Sequence, residues 1–150
     1  MDFSVVVSPL TGTTISLTEV PDPVFAELMV GPGAAVDPLR APQIAVAPIT
    51  GRLVKLKAHA FLMLSEEGRG VLVHLGIDTV TLDGAGFELV AAEGDELLAG
   101  QAVVAWDPGL VEAGGLSPVC PVIALDAEVG DIDVVVGRRV VAGEGLFCWR

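Results

Sequence analysis

Glycine and proline residues divide this chain into short apolar runs, and that division limits what the chain can fold into. Its 150 residues include 18 glycines and 10 prolines, and hydrophobic residues make up 52% of the sequence. Short apolar runs between turn residues are typical of β-strands, whereas helices need longer periodic segments. The pattern predicts a single all-β domain over residues 1–150, long enough to bury one core.

The predicted strands are apolar runs with turn residues on both sides. They are residues 5–7, 13–17, 34–36, 44–47, 53–56, 61–64, 71–74, 102–106, 122–125, 134–136 and 146–149. One segment is helical in pattern instead: Asp107 is a suitable N-cap and Pro108 a suitable first residue for a helix over residues 108–113. Residues 22–29 have room for another turn of helix. The prediction is an antiparallel β-sandwich with short helical turns.

Two pieces of the sequence occur twice. Residues 8–12 (Ser-Pro-Leu-Thr-Gly) match residues 47–51 (Ala-Pro-Ile-Thr-Gly), 39 positions later. Residues 94–103 match residues 137–146 in the same way, with an offset of 43 positions. Each piece is a turn glycine that leads into a strand, a pattern also seen in biotinyl and lipoyl carrier domains. We interpret the repeats as a pseudo-duplication whose two halves interleave in one sandwich; chance similarity between glycine-rich turns is the alternative.

The charge of the chain limits its partners. With 20 acidic and 8 basic side chains, the net charge is −12. This disfavours nucleic acid and anionic membrane surfaces, and it suits a basic protein partner as well as plain solubility. No apolar run reaches the roughly 18 residues of a membrane span, and residues 1–4 lack the basic start of a signal peptide. We expect a cytoplasmic protein, in which Cys120 and Cys148 are buried thiols rather than a disulfide.

The two histidines, His59 and His74, lie at the ends of neighbouring predicted strands. A hairpin through residues 65–70 would place the run 59–64 beside the run 71–74 and bring the imidazoles together. Much of an imidazole with an ordinary pKa of about 6.5 is neutral near pH 7 and is then a nucleophile. The pair therefore suits phosphoryl transfer. Two core histidines bonded to backbone groups are the alternative.

The segment Val-Leu-Val-His-Leu-Gly-Ile-Asp-Thr-Val at residues 71–80 resembles the active-site strand of a known family. That family comprises the glucose-type IIA (EIIA) proteins of the bacterial phosphoenolpyruvate-dependent sugar phosphotransferase system. Its other landmarks occur in the family's order at residues 21–27, 30–35, 46–51, 59–61, 83–87 and 117–122. The resemblance covers about residues 8–125 and is looser from there to the end.

The resemblance implies a pseudo-duplicated antiparallel sandwich that acts as a phosphoryl carrier. His74 would accept phosphate from the phosphocarrier protein HPr and pass it to the IIB cysteine of a glucose-type sugar permease. His59 would hydrogen-bond the phosphoryl oxygens and counter their charge. A backbone carbonyl would fix the second nitrogen of His74, and Gly76 is where the chain can fold back. No cofactor is required.

The resemblance also implies a docking surface around the site. Val24, Phe25, Leu72 and Val80 match an apolar collar in the family. Leu72 lies two residues before His74 and so shares a strand face with it, whereas a core position explains Phe25 equally well.

Two acidic residues match positions beside the family's active site. Asp22 and Asp78 would pair with an arginine of HPr and repel free phosphate. Either can instead cap a helix or a turn, because Asp side chains stabilise such turns.

One position departs from the family pattern. The family has a threonine two residues before the first histidine, and its hydroxyl joins the hydrogen bonds of that histidine. Here Lys57 and Ala58 precede His59, and the connection from Gly51 is shorter than the family's. Lys57 can supply charge to a phosphoryl group or point into solvent.

Other classes of function fit the residues less well. A catalytic zinc normally takes three protein ligands and a water, whereas this chain has two histidines; a zinc ion between His59, His74 and a partner's carboxylate is still compatible. A biotinyl or lipoyl carrier needs a lysine at a hairpin tip, and no Met-Lys-Met-like turn is present. A regulatory module, whose binding to target proteins depends on phosphorylation of His74, is the strongest alternative.

Overall fold

The chain folds almost entirely into β-strands. The computed structural model describes residues 4–150. The strands in this range are β1 Ser4–Val7, β2 Gly12–Ile15, β3 Gly33–Pro38, β4 Gln43–Val46, β5 Gly51–Leu56, β6 Ala60–Leu64, β7 Gly70–His74, β8 Glu88–Leu89, β9 Glu96–Leu97, β10 Ala102–Trp106, β11 Cys120–Ala124, β12 Ile132–Val134, β13 Arg139–Val140 and β14 Gly145–Trp149. The helices are α1 Pro23–Ala26 and α2 Pro108–Ala113, with 3-10 turns at Leu17–Glu19, Thr79–Leu82 and Val129–Asp131.

Both α-helices begin at the residues that the sequence indicates. The Asp107 carboxylate accepts a hydrogen bond from the Gly109 N–H at 2.9 Å, and Pro108 is the first helical residue. Asp22 caps α1 in the same way through the Val24 N–H at 2.9 Å. Neither helix in the described part of the chain has the length or apolar character to cross a membrane.

The strands form one large sheet and two small ones, and every strand pair within residues 4–150 runs antiparallel. The large sheet has the order β13-β2-β3-β11-β7-β6-β5-β9. The small sheets have the orders β1-β14-β12 and β4-β10-β8. The antiparallel β-sandwich predicted from the turn-punctuated sequence is confirmed.

The sheet orders show the duplication directly. If β4–β10 are matched in sequence to β1–β3 followed by β11–β14, the large sheet reads the same from both ends. The two small sheets become equivalent under the same matching. One half of the domain is therefore inserted, as a continuous segment, between β3 and β11 of the other half.

Equivalent hydrogen bonds confirm that the sequence repeats mark this duplication. The Val7 N–H donates to Pro48 O at 2.9 Å, and the Val46 N–H donates to Pro9 O, also at 2.9 Å. These bonds exchange under the offset of 39 positions and link the two halves at their centre. The second repeat shows the same relation. The Ala99 N–H donates to Thr50 Oγ1 and the Ala142 N–H donates to Thr11 Oγ1, both at 3.0 Å, and Ala99 and Ala142 are equivalent under the offset of 43 positions.

The large sheet buries side chains on both faces. Val71 and Val73 of β7 lie in the main core, between the large sheet and the small ones, whereas Leu72 packs against a second cluster on the outer face. This second cluster consists of buried residues Leu17, Val20, Phe25, Ala35, Ile77 and Ile123. The segment between β2 and β3, which contains α1, supplies three of its members and covers part of the outer face.

Some strand boundaries differ from the sequence prediction. The strand predicted at residues 13–17 ends at Ile15, because Ser16 caps the 3-10 turn that begins at Leu17. The strand predicted at residues 134–136 is Ile132–Val134 instead. Both cysteines are free, as expected, but only Cys120 is fully buried, and burial raises the pKa of its thiol; Cys148 is half-buried.

Two equivalent glycines provide a test of the packing. A Cβ added at Gly12 would lie 2.2 Å from Asp37 O, and one added at Gly51 would lie 2.2 Å from Leu64 O. We expect Gly12→Ala and Gly51→Ala each to lower the free energy of unfolding by about 2–4 kcal/mol, because backbone of the neighbouring strand must move. Chemical denaturation measures this.

Gly68→Ala is the control for these variants. Gly68 lies in the β6–β7 turn with φ +89°, and nothing approaches a Cβ there within 4 Å. The free energy of unfolding of Gly68→Ala should fall by only roughly 1–2 kcal/mol, the strain of a left-handed backbone conformation in a residue with a Cβ. If Gly51→Ala lowers the free energy of unfolding no more than Gly68→Ala does, then β5 does not approach β6 as closely as described.

Candidate active site

The two histidines meet at one end of the large sheet, on its outer face. Strands β6 and β7 form the predicted hairpin, with Ala60 opposite His74. His59 precedes β6, and its ring centroid lies 5.2 Å from that of His74, with the ring planes at 67°. The prediction that the hairpin brings the imidazoles together is confirmed.

The orientation of His74 is set by the backbone just after it. Its Nδ1 lies 2.5 Å from the carbonyl oxygen of Gly76. A carbonyl only accepts hydrogen bonds, so Nδ1 carries the proton and Nε2 keeps its lone pair. Gly76 has φ +80°, and a Cβ there would lie 2.6 Å from Cγ2 of Thr79. The turn that supplies the carbonyl therefore requires glycine.

Three hydrogen bonds hold this turn, and two of them come from distant parts of the chain. The Leu75 N–H donates to His59 O at 2.7 Å and so ties the two histidine segments together. The Ile77 N–H donates to Ser117 O at 2.8 Å, and Thr79 Oγ1 donates to Leu75 O at 2.7 Å. Sequence reasoning missed all three, although residues 117–122 were a family landmark.

The apolar residues predicted around the site occupy two different environments. Val24 and Val80 are exposed, at 43% and 58% of their surface, and Leu72 is half-buried. Phe25 is 7% exposed and belongs to the second cluster, with its ring centroid 5.4 Å from that of His74. Phe25 thus has the core position that the sequence left open, and it packs directly on the histidine.

The two acidic residues contribute charge next to His74. Asp22 caps α1, and its charge also acts to raise the pKa of His74. Its pairing with an arginine of HPr stays a prediction. Asp78 has φ +61° and precedes the 3-10 turn Thr79–Leu82, but its side chain makes no capping bond. Its carboxylate is exposed to solvent.

Burial keeps both histidines in the neutral form. Burial lowers the pKa of His74, while the bond to Gly76 O and the charges of Asp22 and Asp78 act in the opposite direction without cancelling it. The pKa of His59 is lowered by burial, then by the charges of His74 and Lys57. The lone pair on Nε2 of His74 is therefore available near pH 7.

These pKa values predict how stability depends on pH. Histidine in the unfolded chain binds a proton near pH 6.5, whereas the folded histidines bind one only at lower pH. The unfolded state therefore binds more protons, and stability falls as pH drops from about 6.5 toward the lower folded pKa. The free energy of unfolding is measured with urea at about pH 7.5 and about pH 5.5. It should fall less between these two pH values for His74→Asn than for the wild type. Equal losses would contradict the lowered pKa of His74.

Most of the chain matches one known protein family. Residues 4–129 match the family described as phosphoenolpyruvate-dependent sugar phosphotransferase system, EIIA 1. The chain belongs to this EIIA family.

Relatives of this EIIA chain occur alone and as parts of larger proteins. It is 37% identical to the glucose-specific EIIA component of Oceanobacillus iheyensis, over 93% of this chain and 85% of that protein. It is also 37% identical to the N-acetylglucosamine-specific EIICBA component of Klebsiella pneumoniae, over 92% of this chain, although it spans only 21% of that protein's length. The glucose permease IIA of Mycoplasma capricolum superposes with a TM-score of 0.91 at 33% identity, covering 100% of this chain and 97% of that one.

The side chains in the described part of the chain do not form a metal site of their own. Across residues 4–150, no three His, Cys, Asp or Glu side chains are arranged to hold a metal ion. A zinc ion shared by His59 and His74 needs further ligands from a partner, and it stays a prediction.

Proposed function

We propose that this chain carries a phosphoryl group on Nε2 of His74, accepting it from phospho-HPr and passing it to the cysteine of a IIB domain. The observation that supports this most strongly is the arrangement of His74. Its Nδ1 is engaged by Gly76 O at 2.5 Å, and a second imidazole stands 5.2 Å away, centroid to centroid. This leaves one nucleophilic nitrogen next to a group that can bind phosphoryl oxygens.

The transfer step requires no proton to leave His74. The N–P bond of the donor breaks and its electron pair stays on the donor nitrogen, while the lone pair of Nε2 forms the new N–P bond. The His74 ring keeps its Nδ1 proton and becomes positively charged. The Gly76 carbonyl accepts that proton's hydrogen bond and stabilises the charged ring, so it favours the phosphorylated state.

We expect His59 to act on the phosphoryl group rather than on the imidazole of His74. Its ring meets that of His74 edge to face. A neutral imidazole has one N–H to donate, and a phosphoryl oxygen bound to Nε2 of His74 is a strong acceptor. Phosphoryl transfer depends mainly on positioning and on stabilising such charge.

The surface around His74 suits a basic protein partner with an apolar centre. Val24 of α1 and Val80, two residues after Asp78, are exposed, and Met29, whose N–H donates to Val24 O at 3.0 Å, is 71% exposed. Asp22 and Asp78 add negative charge at the same surface. Apolar contacts at the centre of an interface carry most of the affinity, whereas charges at the rim mainly set the association rate.

Reconstitution tests the proposal directly. The chain is incubated with phosphoenolpyruvate, the general first phosphotransferase and HPr, and its intact mass is measured. We expect a gain of one phosphoryl group, labile in acid and stable in base. Glucose- and N-acetylglucosamine-type IIB domains are the first acceptors to try, because relatives carry those specificities in their names. A chain that binds HPr without gaining mass would be a binding module instead.

His59→Gln separates the two transfer steps. We expect onward transfer to a IIB domain to slow by about 100-fold, because a group that stabilises charge on the departing phosphoryl is replaced. Acceptance from phospho-HPr should change much less. Rapid-quench measurement of both rates checks this, and an equal loss in the two steps would contradict the division of labour.

A further inference from the structure

A row of three residues crosses the sheet beside the active-site histidine. Ala60 pairs with His74 on one side. On the other side the Lys57 N–H donates to Ala60 O at 2.8 Å and closes the tight turn that contains His59. Residues paired across antiparallel strands project from the same face of a sheet. The row Lys57–Ala60–His74 therefore lies on one face, with the smallest side chain in the middle.

The neighbours of Lys57 show which face this is. Leu56, the residue before it, pairs with buried Phe61 and packs against the main core. Successive side chains in a strand point to opposite faces. Lys57 is exposed and so lies on the outer face, where His74 also lies.

The distance from Lys57 to the reacting atom is within reach of its side chain. Neighbouring strands lie about 4.8 Å apart, which puts the Lys57 backbone about 10 Å from that of His74. The methyl group of Ala60 leaves the space between them open, and lysine carries its charge on a long flexible stem. The charge of Lys57 also contributes to lowering the pKa of His59, which places it near the imidazole pair.

We propose that the Lys57 ammonium contacts the phosphoryl group on His74 and stabilises its negative charge together with His59. This inference rests on the proposed phosphorylation of His74. The surroundings need such a cation, because Asp22 and Asp78 lie near the histidine and the chain has a net charge of −12. A phosphoryl group arriving there meets repulsion that Lys57 offsets.

The chain supplies a matched control. Its only other lysine, Lys55, pairs with Leu62 and therefore projects from the same face one row further from His74. The test compares the wild type with Lys57→Gln, Lys57→Arg and Lys55→Gln. Each chain is phosphorylated by phosphoramidate, a chemical donor to histidine, and separately equilibrated with phospho-HPr.

Two readouts follow the phosphoryl group itself. In Lys57→Gln the equilibrium should shift by about two- to fivefold toward phospho-HPr, the effect of one solvent-exposed ion pair. The ³¹P resonance of the phosphohistidine should also titrate at a higher pH, because its dianionic form has lost a cation. Lys57→Arg should restore both properties, and Lys55→Gln should match the wild type.

The outcomes separate this inference from the proposed function. If phosphoramidate labels His74 but phospho-HPr does not, the carrier function fails, while the ³¹P comparison still decides the role of Lys57. If Lys57→Gln matches the wild type in the ³¹P titration, or if Lys55→Gln shifts as far, Lys57 makes no specific contact. If His74 takes up no label from either donor, both proposals are wrong.

Discussion

Replacing His74 by alanine should abolish uptake of phosphate from phospho-HPr. The variant lacks Nε2 of His74, the nitrogen whose lone pair is left free by the bond from Nδ1 to Gly76 O and which lies beside a second imidazole. Loss of a nucleophile removes the covalent step itself, so we expect no label above background rather than a slower rate. Radiolabelled phosphoenolpyruvate with the first phosphotransferase and HPr measures it.

His74→Asn controls for indirect effects of the substitution. The Asn amide can still donate to Gly76 O, so the turn after β7 keeps its hydrogen bond. This variant should also take up no label, and its unfolding transition near neutral pH should stay close to that of the wild type. Labelling of His59 in either variant would reverse the assignment of the two histidines.

Leu72→Asp should abolish transfer from HPr while the domain stays folded. Leu72 is half-buried on the outer face, between Leu62 of β6 and Ile123 of β11. A carboxylate there would be desolvated in the centre of the proposed interface without a partner, which costs far more than the roughly 1 kcal/mol of a truncated apolar anchor. Transfer kinetics and the circular-dichroism spectrum are measured on the same sample.

Leu64→Asp is the matched control for the docking surface. Leu64 lies on β6 with the same outward orientation, but it pairs with Gly70 at the far end of the hairpin and is 42% exposed. We expect it to transfer at the wild-type rate. If Leu72→Asp transfers normally, or acts only by unfolding the domain, then Leu72 is a core residue and the docking surface lies elsewhere.

Much of the fold was predictable because its signals are local. Asp107 and Pro108 specify the start of α2 by a cap and a fixed backbone angle, both properties of adjacent residues. The hairpin that joins the histidines follows from two apolar runs and the turn at residues 65–70. The very short strands β8, β9 and β13 were missed as strands, because two paired residues carry no periodic pattern.

The duplication was visible in the sequence, but its arrangement was not. The repeated glycine motifs revealed two related halves. That one half is inserted whole between β3 and β11 depends on how the strands pair, which spacing along the chain does not specify. The halves also differ where function lies: the tight turn with His59 in one half corresponds to the long segment with α1 in the other.

Local residue patterns specify the strands and turns, the helix caps and the turn at Gly76, since each depends on residues close together in the chain. The surroundings of His74 depend instead on contacts between distant segments. Phe25 packs on its ring, the Leu75 N–H reaches His59 O, and Ser117 O holds the turn only because burial of the whole sheet brings these distant segments together. Such contacts depend on the summed packing of the core, and no local pattern encodes them.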